Sequence, residues 1–197
     1  MSYGAGMIPV TFAGGDHGEW QIERVVTVRG TSLPSASRLA VLGSHASVEG
    51  AFVLRGVTSS ARYLTSLERP RLDAASPPLG RPEATHAVLV PIRKSSAWWS
   101  LAQDERRAIF EERSGHVARS LRYLPRIARR LHHARELGEP FDFLTWFEHA
   151  PEHTATFDEL LGLLRESEEW SWVEREVEVR LVRGGPGPSP TLEPTRT

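Results

Sequence analysis

Short stretches of this chain have the apolar and polar pattern of β-strands. Some alternate with a period of two, which predicts half-buried strands, and one is a continuous apolar run of strand length. Two of them flank Gly-Glu-Pro and predict a hairpin. The predicted strands are Trp20–Arg29, Ala51–Thr58, Ala87–Ile92, Ile127–Leu137, Phe141–Phe147 and Val173–Arg183. Residues 1–19 predict a loop with at most one short strand, and residues 30–49 show no clear period.

Two stretches have helical periodicity. Trp98–Arg119 predicts one long helix, with capping-box spacing at Ser100 and Gln103. A second helix is predicted to begin at Pro151, because proline suits the first helical turn. Its apolar stripe consists of Phe157, Leu160, Leu161 and Leu164. The four prolines between residues 66 and 82 predict a loop there.

The order of elements predicts an α+β fold. From residue 85 onward it is β-α-β-β-α-β, which is the ferredoxin-like unit. Residues 20–60 supply strands without clear helices, which indicates a reduced copy of the same unit. We therefore expect a reduced N-terminal half over residues 1–84 and a complete half over residues 85–183. Residues 184–197 are rich in proline and glycine and are predicted to be disordered.

Composition narrows the function classes. The net charge of −1 over 197 residues gives no support to nucleic-acid or membrane-surface binding. The absence of cysteine excludes disulfides, thiolate catalysis and iron–sulfur clusters. No apolar run is long enough to span a membrane and the first residues do not resemble a secretory signal, so the expected location is the cytoplasm. Codon preference explains most of the excess of arginine, but Lys94 is the only lysine and its small point charge suggests a specific role.

Without cysteine, a metal or cofactor would need histidine, carboxylate or tyrosine ligands. His149 and His153 have zinc-ligand spacing, but Pro151 lies between them, so we expect loop and first-turn residues facing solvent. His132 and His133 are adjacent in a predicted strand and point to opposite faces, so at most one can reach an enclosed site. Neither a phosphate-binding glycine loop nor a GxSxG motif is present.

Other residues are consistent with a buried site but do not prove one. His116 lies in the long predicted helix, where Gly115 would leave room for a flat macrocycle, although a core histidine would look the same. Arg129 lies among apolar residues and either reaches a cleft or forms a surface ion pair. Trp98 and Trp99 fit either a cofactor wall or an ordinary core. Glu168 and Glu169 fit either a site or, by default, the solvated end of a helix.

Long stretches of the sequence resemble the short, dimeric chlorite dismutases, which are haem b enzymes. The similar segments cover most of residues 50–183. They are Val53–Tyr63, Leu79–Thr85, Pro91–His153 and Glu168–Arg183. The resemblance implies a dimeric α/β barrel built of two ferredoxin-like units, with the N-terminal unit reduced. It also implies a homodimer with one haem b per subunit, bound in the second half.

The resemblance assigns roles to individual residues. His116 falls on the proximal iron ligand, and Glu169 on the acid that accepts a hydrogen bond from that imidazole. Arg129 falls on the distal catalytic arginine, and Lys94 on a position beside a haem propionate. The remaining residues expected around the haem are Trp98, Trp99, Leu124, Leu131 and Phe143.

The implied activity is the conversion of chlorite to chloride and dioxygen, with Arg129 orienting the anion. Some relatives place a glutamine against the distal arginine, and the matching residue here is Ser76. Alternatives are a peroxidase-like haem enzyme, a coproporphyrin haem decarboxylase, a non-catalytic haem-binding protein and an empty dimeric scaffold. Arg129 argues against the decarboxylase, whose relatives generally lack that arginine.

Overall fold

A closed barrel of eight antiparallel strands forms the centre of the molecule. The computed structural model describes residues 8–43, 47–58 and 65–184. The strands are β1 (Ile8–Gly15), β2 (Trp20–Arg29), β3 (Arg38–Leu42), β4 (Phe52–Thr58), β5 (His86–Lys94), β6 (Ala128–His133), β7 (Phe143–His149) and β8 (Val173–Arg183). Around the barrel they follow the order β1, β3, β2, β8, β5, β7, β6 and β4, and β4 pairs with β1.

The helical elements follow β4 and are concentrated in the second half of the chain. The α-helices are α1 (Glu68–Ala75), α2 (Ser96–Ser100), α3 (Gln103–Arg107), α4 (His116–Ser120) and α5 (Thr154–Arg165). A π-helix, Ala108–Arg113, continues α3, and 3-10 turns occur at Arg135–Leu137, Pro151–His153 and Glu168–Trp172. Within the described residues, no helix is both long and apolar enough to cross a membrane.

Two apolar cores lie on the two sides of the barrel wall. Inside the barrel, Trp146 stacks on Phe12 at 5.6 Å and meets the Trp20 ring edge-on at 5.3 Å. Outside it, the predicted stripe of α5 packs over outward-facing residues of β5 and β7, such as Val88 and Phe147. Because β5 is buried on both faces, it has a continuous apolar sequence instead of an alternating one.

The predicted strand and helix order of the second half is confirmed. From β5 to β8 the elements run β-α-β-β-α-β, and the strands lie side by side as β8, β5, β7, β6. The first four strands lie in the corresponding order, β4, β1, β3, β2. The two four-strand groups join where β2 pairs with β8 and β4 pairs with β6.

Some predicted boundaries are wrong. Residues 1–19 contain the eight-residue strand β1, and β3 lies in the stretch without a clear period. The proline-rich stretch contains α1. Pro70 is the third residue of that helix, where its missing N–H removes no intrahelical hydrogen bond. The strand predicted over residues 127–137 ends at His133. The tail after residue 184 lies outside the described residues.

The long helix predicted over Trp98–Arg119 is instead a series of short segments. Leu101 is extended and ends α2, and Gly115 has a φ of 61°, which separates the π-helix from α4. The capping contact lies two residues after the predicted one: the Ala102 N–H donates to Glu105 Oε2 at 2.7 Å. The changes of direction bring His116 to the start of a helix that faces the barrel.

Candidate active site

A cavity lies between the outer face of β5, β7 and β6 and the helices that cover it. Apolar side chains form most of its wall, including Val90, Phe143 and Phe147 from the strands and Leu160 from α5. The cavity measures about 1110 Å³ including its mouth. A largely apolar pocket with a few convergent polar groups is the usual form of a cofactor site.

His116 enters the cavity from the helical wall, at the first residue of α4. Its Nδ1 lies 2.7 Å from Glu169 Oε2, and the Phe110 ring stacks on it at 4.5 Å. With Nδ1 bonded to a carboxylate, Nε2 is the ring nitrogen left to bind a metal. Gly115 permits this geometry because its φ of 61° is a left-handed backbone conformation that other residues rarely adopt. Space is not the constraint, because the nearest protein atoms to a Cβ there belong to Arg119, at 3.6 Å. The glycine therefore serves the backbone conformation, and its role in leaving room for a macrocycle stays a prediction.

Glu169 is bonded to Lys94 as well as to His116. Lys94 Nζ donates to Glu169 Oε1 at 2.8 Å and to the Glu169 carbonyl oxygen at 3.1 Å. Burial alone would raise the pKa of Glu169, but the charges of His116 and Lys94 and their hydrogen bonds lower it to about 2. The carboxylate is therefore ionised and fixes the imidazole by a charge-assisted hydrogen bond.

Lys94 is buried, and its ammonium lies 4.7 Å from the centre of the Trp98 ring. The only lysine thus faces a carboxylate, as expected, but that carboxylate belongs to Glu169. Its predicted contact with a haem propionate stays a prediction.

Arg129 lines the cavity from the sheet, whereas His116 lines it from a helix. It is the second residue of β6. Its Nε is buried and has no hydrogen-bond partner among the described residues. Burial lowers the pKa of Arg129, yet a guanidinium remains charged in proteins. A cation with a buried, unbonded Nε in a largely apolar cavity favours the binding of an anion.

The other residues expected around a cofactor divide into two groups. The cavity-lining group consists of Trp98, Leu124, Leu131 and Phe143. Trp99 is not among the lining residues: it stacks behind Phe143 at 5.9 Å and its Nε1 donates to Asp142. Ser76 ends α1, where its N–H donates to the Leu72 carbonyl, and it is likewise not among the described lining residues.

The histidine predictions have mixed outcomes. His132 and His133 do point to opposite faces, since His133 lines the cavity and His132 meets Phe12 inside the barrel. His149 was expected to face solvent, but it is buried and stacks on Phe157. Among the described residues, no cluster of three or more histidines or acids could bind a metal.

Sequence reasoning missed several lining residues. Phe110 and Trp170 flank His116, and Val117, Ser120 and Thr145 complete the wall. Trp170 could have been suspected, because it directly follows Glu169. The cavity thus brings together a histidine held at Nδ1 and an arginine with a buried, unbonded Nε, residues that could hold a metal-bearing cofactor and an anion.

Comparisons with known proteins agree on one family. The family model described as "Chlorite dismutase" matches residues 33–183. A curated "Chlorite dismutase" from Ideonella dechloratans is 28% identical over 102 residues, which are 48% of this chain and 33% of that protein. The match thus spans about a third of the curated relative's length.

Solved structures extend the similarity to the fold. A structure of dimeric chlorite dismutases from Nitrobacter winogradskyi has 55% identity and a TM-score of 0.85, covering 89% of this chain and 99% of that one. A chlorite dismutase from Candidatus Nitrospira defluvii in complex with imidazole is 20% identical, with a TM-score of 0.61, covering 88% of this chain and 90% of that one. At that identity the likeness concerns the fold alone.

Proposed function

This chain belongs to the chlorite dismutase family, and we propose that it converts chlorite to chloride and dioxygen with a haem b bound in the described cavity. The observation that carries the proposal is the joint presence of His116 and Arg129 in one apolar cavity. The first is held for ligation through Nδ1, and the second is a cation with a buried, unbonded Nε.

His116 would bind the iron through Nε2, with Glu169 and Lys94 behind it. The bound haem would supply the redox chemistry, as cofactors generally do. Glu169 fixes the plane of the imidazole and increases its basicity. Lys94 keeps Glu169 ionised. Leu124, Leu131 and the other apolar lining residues exclude water, which strengthens the electrostatic interactions in the cavity.

Arg129 would bind and orient chlorite. The guanidinium, whose Nε is buried, can donate charge-assisted hydrogen bonds to the oxygen atoms of an anion. The same contact would retain anionic chlorine species until dioxygen has formed, so that both products leave from one site. The reaction needs no external electron donor, since chloride and dioxygen together balance the atoms and charge of chlorite.

We propose further that the barrel consists of two ferredoxin-like units, 1–84 and 85–183, and that the protein forms a homodimer. The equivalent strand orders in the two halves support the first statement, and the similarity to a dimeric relative supports the second. The disorder of residues 184–197 and the cytoplasmic location stay predictions.

The function is tested by adding chlorite to haem-loaded protein in an oxygen electrode, without reductant. We expect one dioxygen for each chlorite. Absence of oxygen with a normal histidine-ligated haem spectrum would contradict the activity and favour a peroxidase-like enzyme or a haem carrier. Failure to bind haem would favour an empty scaffold.

Arg129→Ala tests the anion site. Removing a hydrogen bond to a charged group costs about 1.5–3 kcal/mol, so sustained oxygen release should fall roughly ten- to hundredfold while haem binding persists. Arg130→Ala is the matched control, because Arg130 is the next residue of β6 and is exposed. Equal oxygen release by the two variants would remove Arg129 from the mechanism.

A further inference from the structure

A second buried carboxylate lies close to His116, beyond Glu169. Glu176, on β8, is only 1% exposed, and its Oε2 accepts a hydrogen bond of 2.7 Å from the indole Nε1 of Trp170. Trp170 in turn lines the cavity. The resemblance and the spacing of the sequence assign no role to either residue.

Trp170 presents its ring to His116. The two rings are nearly parallel, with 14° between their planes and 6.5 Å between their centres. Trp170 and Glu169 are neighbours in one 3-10 turn. That turn therefore supplies His116 with two consecutive side chains, a carboxylate that bonds the imidazole and an indole that lies alongside it. Each is tied to a buried charge, Glu169 to Lys94 and Trp170 to Glu176.

Glu176 is held in its buried position by Arg165 of α5. The guanidinium donates to Glu176 Oε1 through Nε at 2.9 Å and through a terminal nitrogen at 2.6 Å. The same terminal nitrogen reaches Glu178 at 2.7 Å. Burying a carboxylate is costly unless it is paired and fully hydrogen-bonded. Here both oxygens are bonded, one to the arginine and the other to the indole.

We propose that Glu176 is a positioning residue of the haem site, acting through Trp170. Arg165 pairs with Oε1 of Glu176, and the other carboxylate oxygen faces the indole N–H, an arrangement that points to an electrostatic role beyond the ion pair. The ionised carboxylate fixes the plane of the indole against His116 and polarises it. This adds negative potential on the side of the imidazole where Trp170 lies. The effect on iron rests on the proposed haem site, whereas the hydrogen bond itself does not.

The hydrogen bond can be tested in the haem-free protein. A charge-assisted bond shifts the indole N–H resonance of Trp170 downfield, and Trp170→Phe identifies that resonance by deleting it. We expect Glu176→Gln to move the resonance upfield. Glu174→Gln is the matched control, since Glu174 lies on the same strand with a side chain 55% exposed. A resonance that does not move in Glu176→Gln would overturn the proposed contact.

The effect on iron is tested by the reduction potential of the haem-loaded protein. Second-shell charge is one of the ways in which a protein sets this potential. Removing a negative charge disfavours the ferric state, so Glu176→Gln should raise the potential and Glu174→Gln should not. In a Trp170→Phe background the Glu176→Gln shift should disappear, which is the signature of action through Trp170.

Two results would refute the positioning role: an unchanged potential in Glu176→Gln, or a shift of equal size in the Trp170→Phe background. If Glu176→Gln does not fold, Glu176→Asp keeps the charge and lengthens the bond, and it should move both readouts in the same direction by less. A wild-type protein that binds no haem would contradict the proposed function, while the indole resonance would still test the contact.

Discussion

Replacing Lys94 by methionine tests the ion pair behind His116. The pKa of Glu169 falls from 4.5 to about 2, although its burial opposes this, because His116 and Lys94 stabilise the ionised form. At about 1.4 kcal/mol for each pKa unit, that difference corresponds to about 3 kcal/mol of folding free energy. Removing one partner of a buried pair typically costs about 3–5 kcal/mol. We therefore expect Lys94→Met to lower the free energy of unfolding by about 3 kcal/mol at neutral pH.

The loss should depend on pH in a defined direction. Because the folded-state pKa of Glu169 is depressed, its stabilisation is complete above a pH of about 4.5 and disappears as the pH falls toward about 2. The penalty of Lys94→Met should shrink over the same range. Urea unfolding of the haem-free protein, followed by tryptophan fluorescence at several pH values, measures it without the stabilisation that bound haem would add.

Two further variants make the experiment decisive. Arg93→Met removes the neighbouring cation, whose side chain is 56% exposed, and should cost less than about 1 kcal/mol. Adding Glu169→Gln to Lys94→Met should recover much of the loss, because no unpaired charge then stays buried. A penalty that is the same at all pH values, or that the double variant does not reduce, would show that Lys94 contributes packing and not charge.

Two other substitutions give separate tests. Burial lowers the pKa of His132 from 6.5 to about 4, so the free energy of unfolding should fall by about 3 kcal/mol as the pH falls from about 6.5 to about 4. His132→Gln should flatten this part of the plot of unfolding free energy against pH. An unchanged slope would contradict a buried neutral imidazole. Gly115→Ala should destabilise the protein by about 1–2 kcal/mol in urea unfolding, because its φ is 61°. A neutral effect would show that the backbone before His116 can relax.

The parts of the fold that sequence predicted are those in which burial leaves a periodic pattern. α5 shows its stripe because it buries one face, Phe157, Leu160, Leu161 and Leu164. β2 and β8 were recognised from β-branched, roughly alternating sequences, although only Trp20 of β2 is buried and residues 176–179 of β8 are all buried. β1 was expected only as one short strand within a loop, because residues 10–14 are all buried and no alternation remains. α1 was missed because its prolines lie in the first turn and shortly after its end, positions that are compatible with a helix.

The site was predictable in its members but not in its contacts. His116, Glu169 and Arg129 came from the resemblance, and the structure brings all three to one cavity. The pairing of Lys94 with Glu169 joins residues 75 positions apart, a separation about which local periodicity carries no information. Trp170 was overlooked for a similar reason. Its significance depends on the orientation of a 3-10 turn and on Glu176 in the following strand.

The lengths of the connections explain why the cavity lies in the second half. Both halves have the same strand order, but β1 and β2 are joined by residues 16–19 alone, whereas residues 95–127 join β5 to β6. A connection as short as the first has no room for a covering helix, since helical crossovers need a dozen or more residues. The longer one supplies α2, α3, the π-helix and α4, and hence the wall that carries His116. Arg129 is the second residue of β6, which begins where this connection ends. One connection and the strand after it therefore place the proposed iron ligand and the anion-binding cation on two walls of the same cavity.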